Sequence, residues 1–571
     1  MKTRFYIGGR AIPVNMEKID NEIYLQFPYY KPLIEEIKIC SDIRRYIPTK
    51  KCWALAETRR NLFLLNYLMG ENPYKVYDRT ISEKELSKIT HQLNKLNPPM
   101  YKHQPDMFIH CLSKRKCILA GEMRTGKTRP VLELIKYLKI SDCWWVAPTS
   151  ALRGLKSELY KWNFTEKIYL LTYSKFRSII GNMDINNNNN SNSNIHVPKL
   201  IIFDEGQKLK NPKSKQGELA REISDYQHRL YGDDCYLLIL SGTPAPKDPT
   251  DWWNICEITC PGYLREGHQL LFKRRLANLE EKEGMVGQKY WHLVSWKKEE
   301  VEKLHSTLNG LVKVFLKKDC LDLPPKIYTP IKMEISQDYL RIANMIRRSE
   351  SKAITLQQKL RQLSDGFQYI YTPNKETAKE IRSTHYFPNC PKDEQLRLHL
   401  EEYEDIGRVI IYCGFTASIN KISDICLSNN WVVLKVDGRG WDGLGTSLPT
   451  DSLLREMDRS SMTTDITNNN YVEKLAFVAQ ASSGSTGLEL SASPVIIYYS
   501  NDDNGDARMQ SEDRPHSNNM DKERGLEIID YYHLPIDEMV VTRHKKKQSL
   551  QAITLGNIDK IMNFNLEESN E

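Results

Sequence analysis

The sequence predicts an α/β protein with two parallel-sheet lobes, a helical spacer between them and a small α+β domain in front. Three observations predict it. First, five-residue apolar runs recur at KCILA (116–120), CWWVA (143–147), IYLLT (168–172), KLIIF (199–203) and YLLIL (236–240), with helix-like segments between them. Such runs are the mark of strands buried on both faces of a parallel sheet. Second, the alternation resumes at GRVIIY (407–412), WVVLKV (431–436), KLAFVAQ (474–480), PVIIYY (494–499) and LEIIDYY (526–532), with no repetition of the sequence itself. Third, 571 residues exceed what one compact core can hold.

The elements follow in order. Residues 1–98 read as an accessory domain with a basic stretch from Arg44 to Lys51, and 99–265 as the first lobe. The Asn- and Ser-rich run INNNNNSNSN (185–194) interrupts that lobe, and its side chains cannot bury apolar area, so a solvated loop is expected. The charged stretch 266–395 reads as the helical spacer, 396–550 as the second lobe and 551–571 as a tail.

Composition narrows the class. Hydrophobic residues make up 40% and charged residues 27%, ordinary for a globular chain. No run reaches the ~18 apolar residues of a membrane helix, and the N-terminus lacks the apolar core of a secretory signal. The 12 cysteines are scattered without the paired spacing zinc requires, which predicts buried reduced thiols and an intracellular protein. A net charge of +8 permits a polyanionic partner without demonstrating one.

The chemistry begins at GEMRTGKT, Gly121 to Thr128, between a predicted strand and a predicted helix. Glycines at both ends let backbone N–H groups of the loop, including Met123, Arg124, Thr125 and Gly126, turn inward around phosphates. Lys127 supplies a cation for the β- and γ-phosphates, Thr128 a hydroxyl for Mg²⁺, and the next helix its positive end. A second apolar strand ends in Asp204 and Glu205, the first suited to Mg²⁺ and the second to orienting the attacking water. Another core strand ends in Ser241, Gly242 and Thr243, where a γ-phosphate sensor would stand. In the second block, Gln510 and Arg514 are four apart, on one helical face.

The order of DEGQ, LSGTPAP and QSEDRPH resembles a superfamily-two helicase-type ATPase, and within it the Swi/Snf-like DNA translocases. KHQPDMF around Gln104 resembles that family's adenine-recognition segment. WWVAPTSALRGLKSEL and LTYSKF resemble its strand-contacting motifs, FLKKDCLDLPPK and LRQLSDGF its spacer landmarks, and IIYCGFTASI with VDGRG the opening of its second lobe. The likeness covers about 99–550. RRYIPTKKCWALAETRRNLFLL (44–65) resembles a HARP-type domain, as in annealing helicases.

The resemblance implies two RecA-like lobes that close on ATP and Mg²⁺ while gripping double-stranded or branched DNA. It implies DNA repair as the setting. It assigns Gln104 and Gly487 to the nucleotide, Gln510 and Arg514 to hydrolysis, and Ser241, Gly242 and Thr243 to coupling. Pro148, Thr149, Ser150, Thr172, Gly414, Ser483 and Gly484 become contacts to the DNA backbone, which carry no sequence information. The Asn-rich composition suggests a phage or viral source, hence a bacterial or host cytoplasm, with the nucleus the alternative for a eukaryotic chain. Two positions depart from the family: Gly206-Gln207 stand where a histidine usually follows the acidic pair, and Ser517 replaces the second arginine of the last motif. Arg508 or Arg524 could fill that place. A strand-separating helicase and a slowly hydrolysing DNA clamp are the alternatives.

Overall fold

The computed structural model describes residues 2–71, 78–122, 124–182, 196–242, 248–283, 289–373, 380–458, 472–484, 488–517, 520 and 524–554. The chain divides into two compact units, the first running to Cys320 and the second from Leu321 to Ser549. No helix among the described residues is long and apolar enough to cross a membrane.

The first unit opens with β1 (Lys2–Ile7), β2 (Arg10–Ile19), β3 (Glu22–Gln26), β4 (Arg44–Ile47) and β5 (Cys52–Ala56), an antiparallel sheet in the order β1-β2-β3-β5-β4. Alternation turns Phe5, Val14, Ile23, Leu25 and Leu55 to one face, where the helices Lys31–Cys40 and Arg59–Leu68 cover them. Thr58 caps the second helix by accepting the Asn61 N–H. This domain is docked rather than tethered. Arg60 and Glu257 form an ion pair with both partners buried, and Arg59 meets Asp225 at 2.9 Å. The Arg265 guanidinium lies 4.1 Å over the Tyr67 ring, and Phe63 belongs to the core of the lobe that follows.

That lobe is a parallel sheet of β6 (Lys116–Gly121), β7 (Cys143–Ala147), β8 (Ile168–Thr172), β9 (Leu200–Asp204) and β10 (Tyr236–Ser241). Past it come the hairpin β11 (Ala277–Glu283) and β12 (Lys289–Trp296), then β13 (Val312–Phe315). The order is β13-β6-β10-β9-β7-β8. Successive residues feed two cores. Ile118, Trp144, Val146, Ile201, Phe203, Leu237 and Ile239 face one, while Cys117, Leu119, Trp145, Leu200, Ile202, Leu238 and Leu240 face the other. Both faces are covered, as the unbroken apolar runs predict.

The second unit contains β14 (Lys326–Lys332), the hairpin β15 (Phe367–Pro373) and β16 (Glu380–Tyr386), then β17 (Arg408–Cys413), β18 (Val432–Asp437), β19 (Gly440–Leu444), β20 (Leu475–Gln480), β21 (Val495–Tyr498) and β22 (Leu526–Tyr532). Its sheet runs β14-β22-β21-β17-β20-β18-β19, parallel except for β19.

The stretch 266–395, which reads as a helical spacer, divides between the units. Its strand β13 completes the first sheet and β14 the second, and two hairpins join its helices. Edge strands and hairpin arms are half solvated, so VKVF and KIYTPIK carry charge among their apolar residues and lack the unbroken run of a central strand. All twelve cysteines are free thiols, buried except for half-exposed Cys320.

Candidate active site

Register builds the site. Ser241 pairs with Ala120 and Leu240 with Asp204, so the carboxyl ends of β6, β10 and β9 stand level. Trp145 and Val146 pair with Ile202 and Phe203, and Ala147 with Thr172, which brings the ends of β7 and β8 to the same edge. In an open parallel sheet this edge is where ligands bind.

The loop after β6 leads into the helix Thr128–Leu138, so Thr128 occupies its first turn and Lys127 its N-cap. Arg124 and Gly126 adopt left-handed backbone, with φ of 65° and 72°. A Cβ at 126 would stand 2.4 Å from Gln104 Nε2, so the loop closes over Gln104 only with glycine there. Lys127 Nζ donates to the Gly121 and Glu122 carbonyls at 2.7 and 3.2 Å. The Thr125 hydroxyl donates to Glu122 O at 2.8 Å. Gln104 is buried, donates to Gly126 O at 2.9 Å and accepts the Tyr101 N–H at 2.8 Å. In this state its amide braces the loop. Met123 lies outside the described residues.

The acidic pair is held on every side. Asp204 Oδ1 accepts the Glu205 N–H at 2.9 Å, and Oδ2 accepts the Trp145 indole at 3.3 Å. The Tyr173 hydroxyl donates to the Asp204 carbonyl at 2.8 Å. Burial pushes the Asp204 carboxyl up to about 6. The charge on Glu205 adds to the rise, while Lys127 and the Trp145 indole oppose it. Glu205 has left-handed backbone at φ 53°, a strained setting for a non-glycine residue. The next position must be glycine, because a Cβ at 206 would lie 2.2 Å from Ile239 Cγ2. Gln207 then bridges the motifs: its Nε2 donates to Glu205 Oε2 and its Oε1 accepts the Ser241 hydroxyl, each at 2.6 Å. Gly242 is buried beside Ser241, whereas Thr243 lies outside the described residues.

The oxygen donors offered at this edge, the Thr128 hydroxyl at the start of its helix and the Asp204 carboxylate at the end of β9, are of the kind Mg²⁺ prefers. A cationic lysine now held by carbonyls fits a phosphate cradle.

The proposed strand contacts of the first lobe share this edge. Pro148 is the N-cap of the helix Thr149–Lys161, which includes Ser150, and Thr172 caps the helix Tyr173–Gly181 by accepting the Lys175 N–H at 3.0 Å.

In the second unit, Cys413 pairs with Gln480, so Gly414 and the short helix Ala481–Gly484 follow adjacent strand ends. Gln480 Nε2 donates to Gly414 O at 3.2 Å, and the Gly414 N–H donates to Ser500 Oγ at 3.0 Å. Ser483 is half-buried and Gly484 buried. Gly487 lies outside the described residues. Gln510 is half-buried on the helix Gly505–Glu512, and buried Arg514 donates to Leu488 O at 3.5 Å.

Arg508 does not serve as a spare arginine. Its Nε meets Glu512 at 2.8 Å, Nη1 and Nη2 meet Asp530 at 2.6 and 3.0 Å, and its guanidinium lies 3.4 Å over the Tyr498 ring. Its Nη1 also donates to Asn501 Oδ1, so the guanidinium is held inside the unit. Arg524 is exposed, and Ser517 Oγ is buried without a hydrogen-bond partner among the described residues.

Sequence reasoning passed over the Trp145 indole and the Tyr173 hydroxyl. CWWVA reads simply as a core strand. The available signal was chemical, since a buried indole needs an acceptor.

Residues 52–380 match the SNF2-related domain. Among curated proteins, the chain is similar to the ISWI chromatin-remodeling complex ATPase CHR11 of Arabidopsis thaliana, at 22% identity over 77% of this chain and 41% of that protein. It is also similar to the uncharacterized ATP-dependent helicase MG018 of Mycoplasma genitalium, at 24% identity over 82% of this chain and 43% of that protein. The chain thus spans about two fifths of the length of these relatives. A solved structure, the Sulfolobus solfataricus SWI2/SNF2 ATPase core in complex with dsDNA, aligns at 19% identity over 80% of this chain and 93% of that one, with a TM-score of 0.32. With the matched domain covering more than half of its residues, the chain belongs to the SNF2-related family.

Proposed function

We propose that this chain is an ATP-hydrolysing motor that translocates on double-stranded DNA and remodels or anneals forked and recombining duplexes. The observation that carries the reading is the level register of β6, β9 and β10, which gathers Lys127, Asp204, Glu205 and Ser241 at one sheet edge. Family membership and relatives named as an ATPase and an ATP-dependent helicase support it.

In this reading Lys127 exchanges the Gly121 and Glu122 carbonyls for phosphate oxygens, and Thr128 and Asp204 hold Mg²⁺. Bound there, the cation would offset charge on the phosphates. Glu205 orients the attacking water and takes its proton. Gln207 passes the state of Glu205 to Ser241 through its two hydrogen bonds, which makes the side-chain amide a working substitute for histidine. Arg514 is the arginine that hydrolysis requires. Pro148, Thr149, Ser150 and Thr172 on one lobe, with Gly414, Ser483 and Gly484 on the other, track the DNA backbone, and the N-terminal sheet adds a preference for branched DNA.

The test is ATP turnover with duplex, forked and single-stranded DNA, and with RNA. Duplex DNA should stimulate more than single strands, without regard to sequence and with steep loss on adding salt. Equal stimulation by single-stranded RNA would replace this reading with a strand-separating helicase. A slowly hydrolysing clamp is the second reading. Ser517 and the locked Arg508 favour it, and its signature would be tight DNA binding with little stimulated turnover.

A further inference from the structure

We infer that Trp145 is a positioning residue for Asp204, with Tyr173 behind it, and that this aromatic pair sets how tightly the chain holds a nucleotide-bound divalent cation. The inference rests on the reading of Asp204 as a metal-holding carboxylate.

Trp145 sits in β7 beside β9, with its ring fully buried. The ring's one polar group, the indole N–H, is spent on Asp204 Oδ2 at 3.3 Å. The other carboxylate oxygen takes the Glu205 N–H at 2.9 Å, and the backbone carbonyl of the same residue takes the Tyr173 hydroxyl at 2.8 Å. Donors from β7, from the turn after β9 and from the helix Tyr173–Gly181 therefore converge on one strand-terminal residue.

The terminal torsion of an aspartate is soft, so an unsupported carboxylate would sample a broad range of orientations. One donor on each oxygen removes that freedom, and each oxygen keeps acceptor capacity for a cation. Filling the core would not require this arrangement, since any large apolar side chain at 145 would serve. Only a residue joining apolar bulk to a directed N–H does both. Partners that orient a metal ligand commonly govern metal affinity by ~10–100-fold.

The experiment uses the full chain with ADP and Mn²⁺ as the probe, counting free Mn²⁺ by electron paramagnetic resonance. The variants are Asp204→Asn, Trp145→Phe and Tyr173→Phe, each followed also by thermal unfolding and by ADP affinity without metal. Asp204→Asn should abolish nucleotide-dependent Mn²⁺ binding. Trp145→Phe should weaken it about tenfold, leaving metal-free ADP affinity unchanged. Tyr173→Phe should weaken it by about two- to threefold, because its hydroxyl holds the backbone rather than the carboxylate. If Asp204→Asn binds Mn²⁺ like the parent, the reading of the site fails. If that variant loses the cation while both aromatic variants keep parental affinity, the positioning role alone is overturned. Should Trp145→Phe not fold, Tyr173→Phe decides, and parental affinity there overturns the inference.

Discussion

The two sheets share an architecture and treat buried charge in opposite ways. At the edge of the first, Asp204 and Glu205 are adjacent like charges, Glu205 on left-handed backbone, and burial raises the Asp204 carboxyl to about 6. In the second unit, burial would also raise Asp530 and Glu512. Arg508 overcomes it at Asp530, and Lys326 followed by Arg508 at Glu512, so both carboxyls lie below their ordinary range. A charge left poised costs stability and does chemistry, whereas a charge fully answered fixes a shape. The difference separates the candidate site from a structural joint without appeal to sequence.

The largest expected effects lie at the first edge. Glu205→Gln should lower ATP turnover by about two orders of magnitude or more while ATP still binds, and Lys127→Ala should lower both. Turnover paired with nucleotide affinity checks this, and parental hydrolysis by Glu205→Gln would remove Glu205 from its role.

The arginines of the second unit should then separate. Arg508→Ala leaves buried Asp530 without its ion-pair partner and takes one of two cations from Glu512, at a cost of about 3–5 kcal/mol, and should appear as a lower unfolding midpoint. Arg514→Ala should instead reduce turnover by ~10³-fold with nucleotide still bound. Equal loss of stability in both variants would erase the distinction between joint and catalyst.

The pH dependences should run in opposite directions. Asp204 holds its proton in the folded chain up to about pH 6, above the ordinary carboxyl value of 3.8, so its contribution falls as pH rises through that window. Asp530 and Glu512 are depressed, so their contribution is present above the ordinary carboxyl range and lost as pH falls through their lowered values. Asp204→Asn should therefore raise the unfolding midpoint at pH 7, by on the order of 1 kcal/mol, while removing metal-dependent function. An unchanged midpoint would mean that Asp204 is not held at a cost.

The smallest effect belongs to Ser517, whose buried hydroxyl has no hydrogen-bond partner among the described residues. Ser517→Ala should unfold at or slightly above the parental midpoint, by up to about 1 kcal/mol, with turnover unchanged. A fall in turnover would give that hydroxyl a role in the reaction.

Much of this was legible in the sequence. Central strands of a covered sheet must be apolar throughout, and the runs ending at Gly121, Asp204 and Ser241 announced both the sheet and its edge. The edge strands β13 and β14 and the two hairpins were not legible, because partial exposure admits charge and blurs the two-residue period. Arg508 was misjudged because nothing in one dimension brings Asp530 to it from 22 residues away. Gln207 could be named but not placed, since its bond to Ser241 depends on β9 and β10 being neighbours.

The docking of the N-terminal domain has a mechanical consequence. Arg60 is walled in, paired with Glu257 and donating to the carbonyls of Cys40 and Arg265. Freeing the domain would break this buried ion pair and uncover Phe63, so the seam resists shear. The five-stranded sheet then behaves as an outrigger bolted to the first lobe, not a flag on a string. A load on its outer strands is therefore passed through this seam to the lobe that carries Lys127 and Asp204.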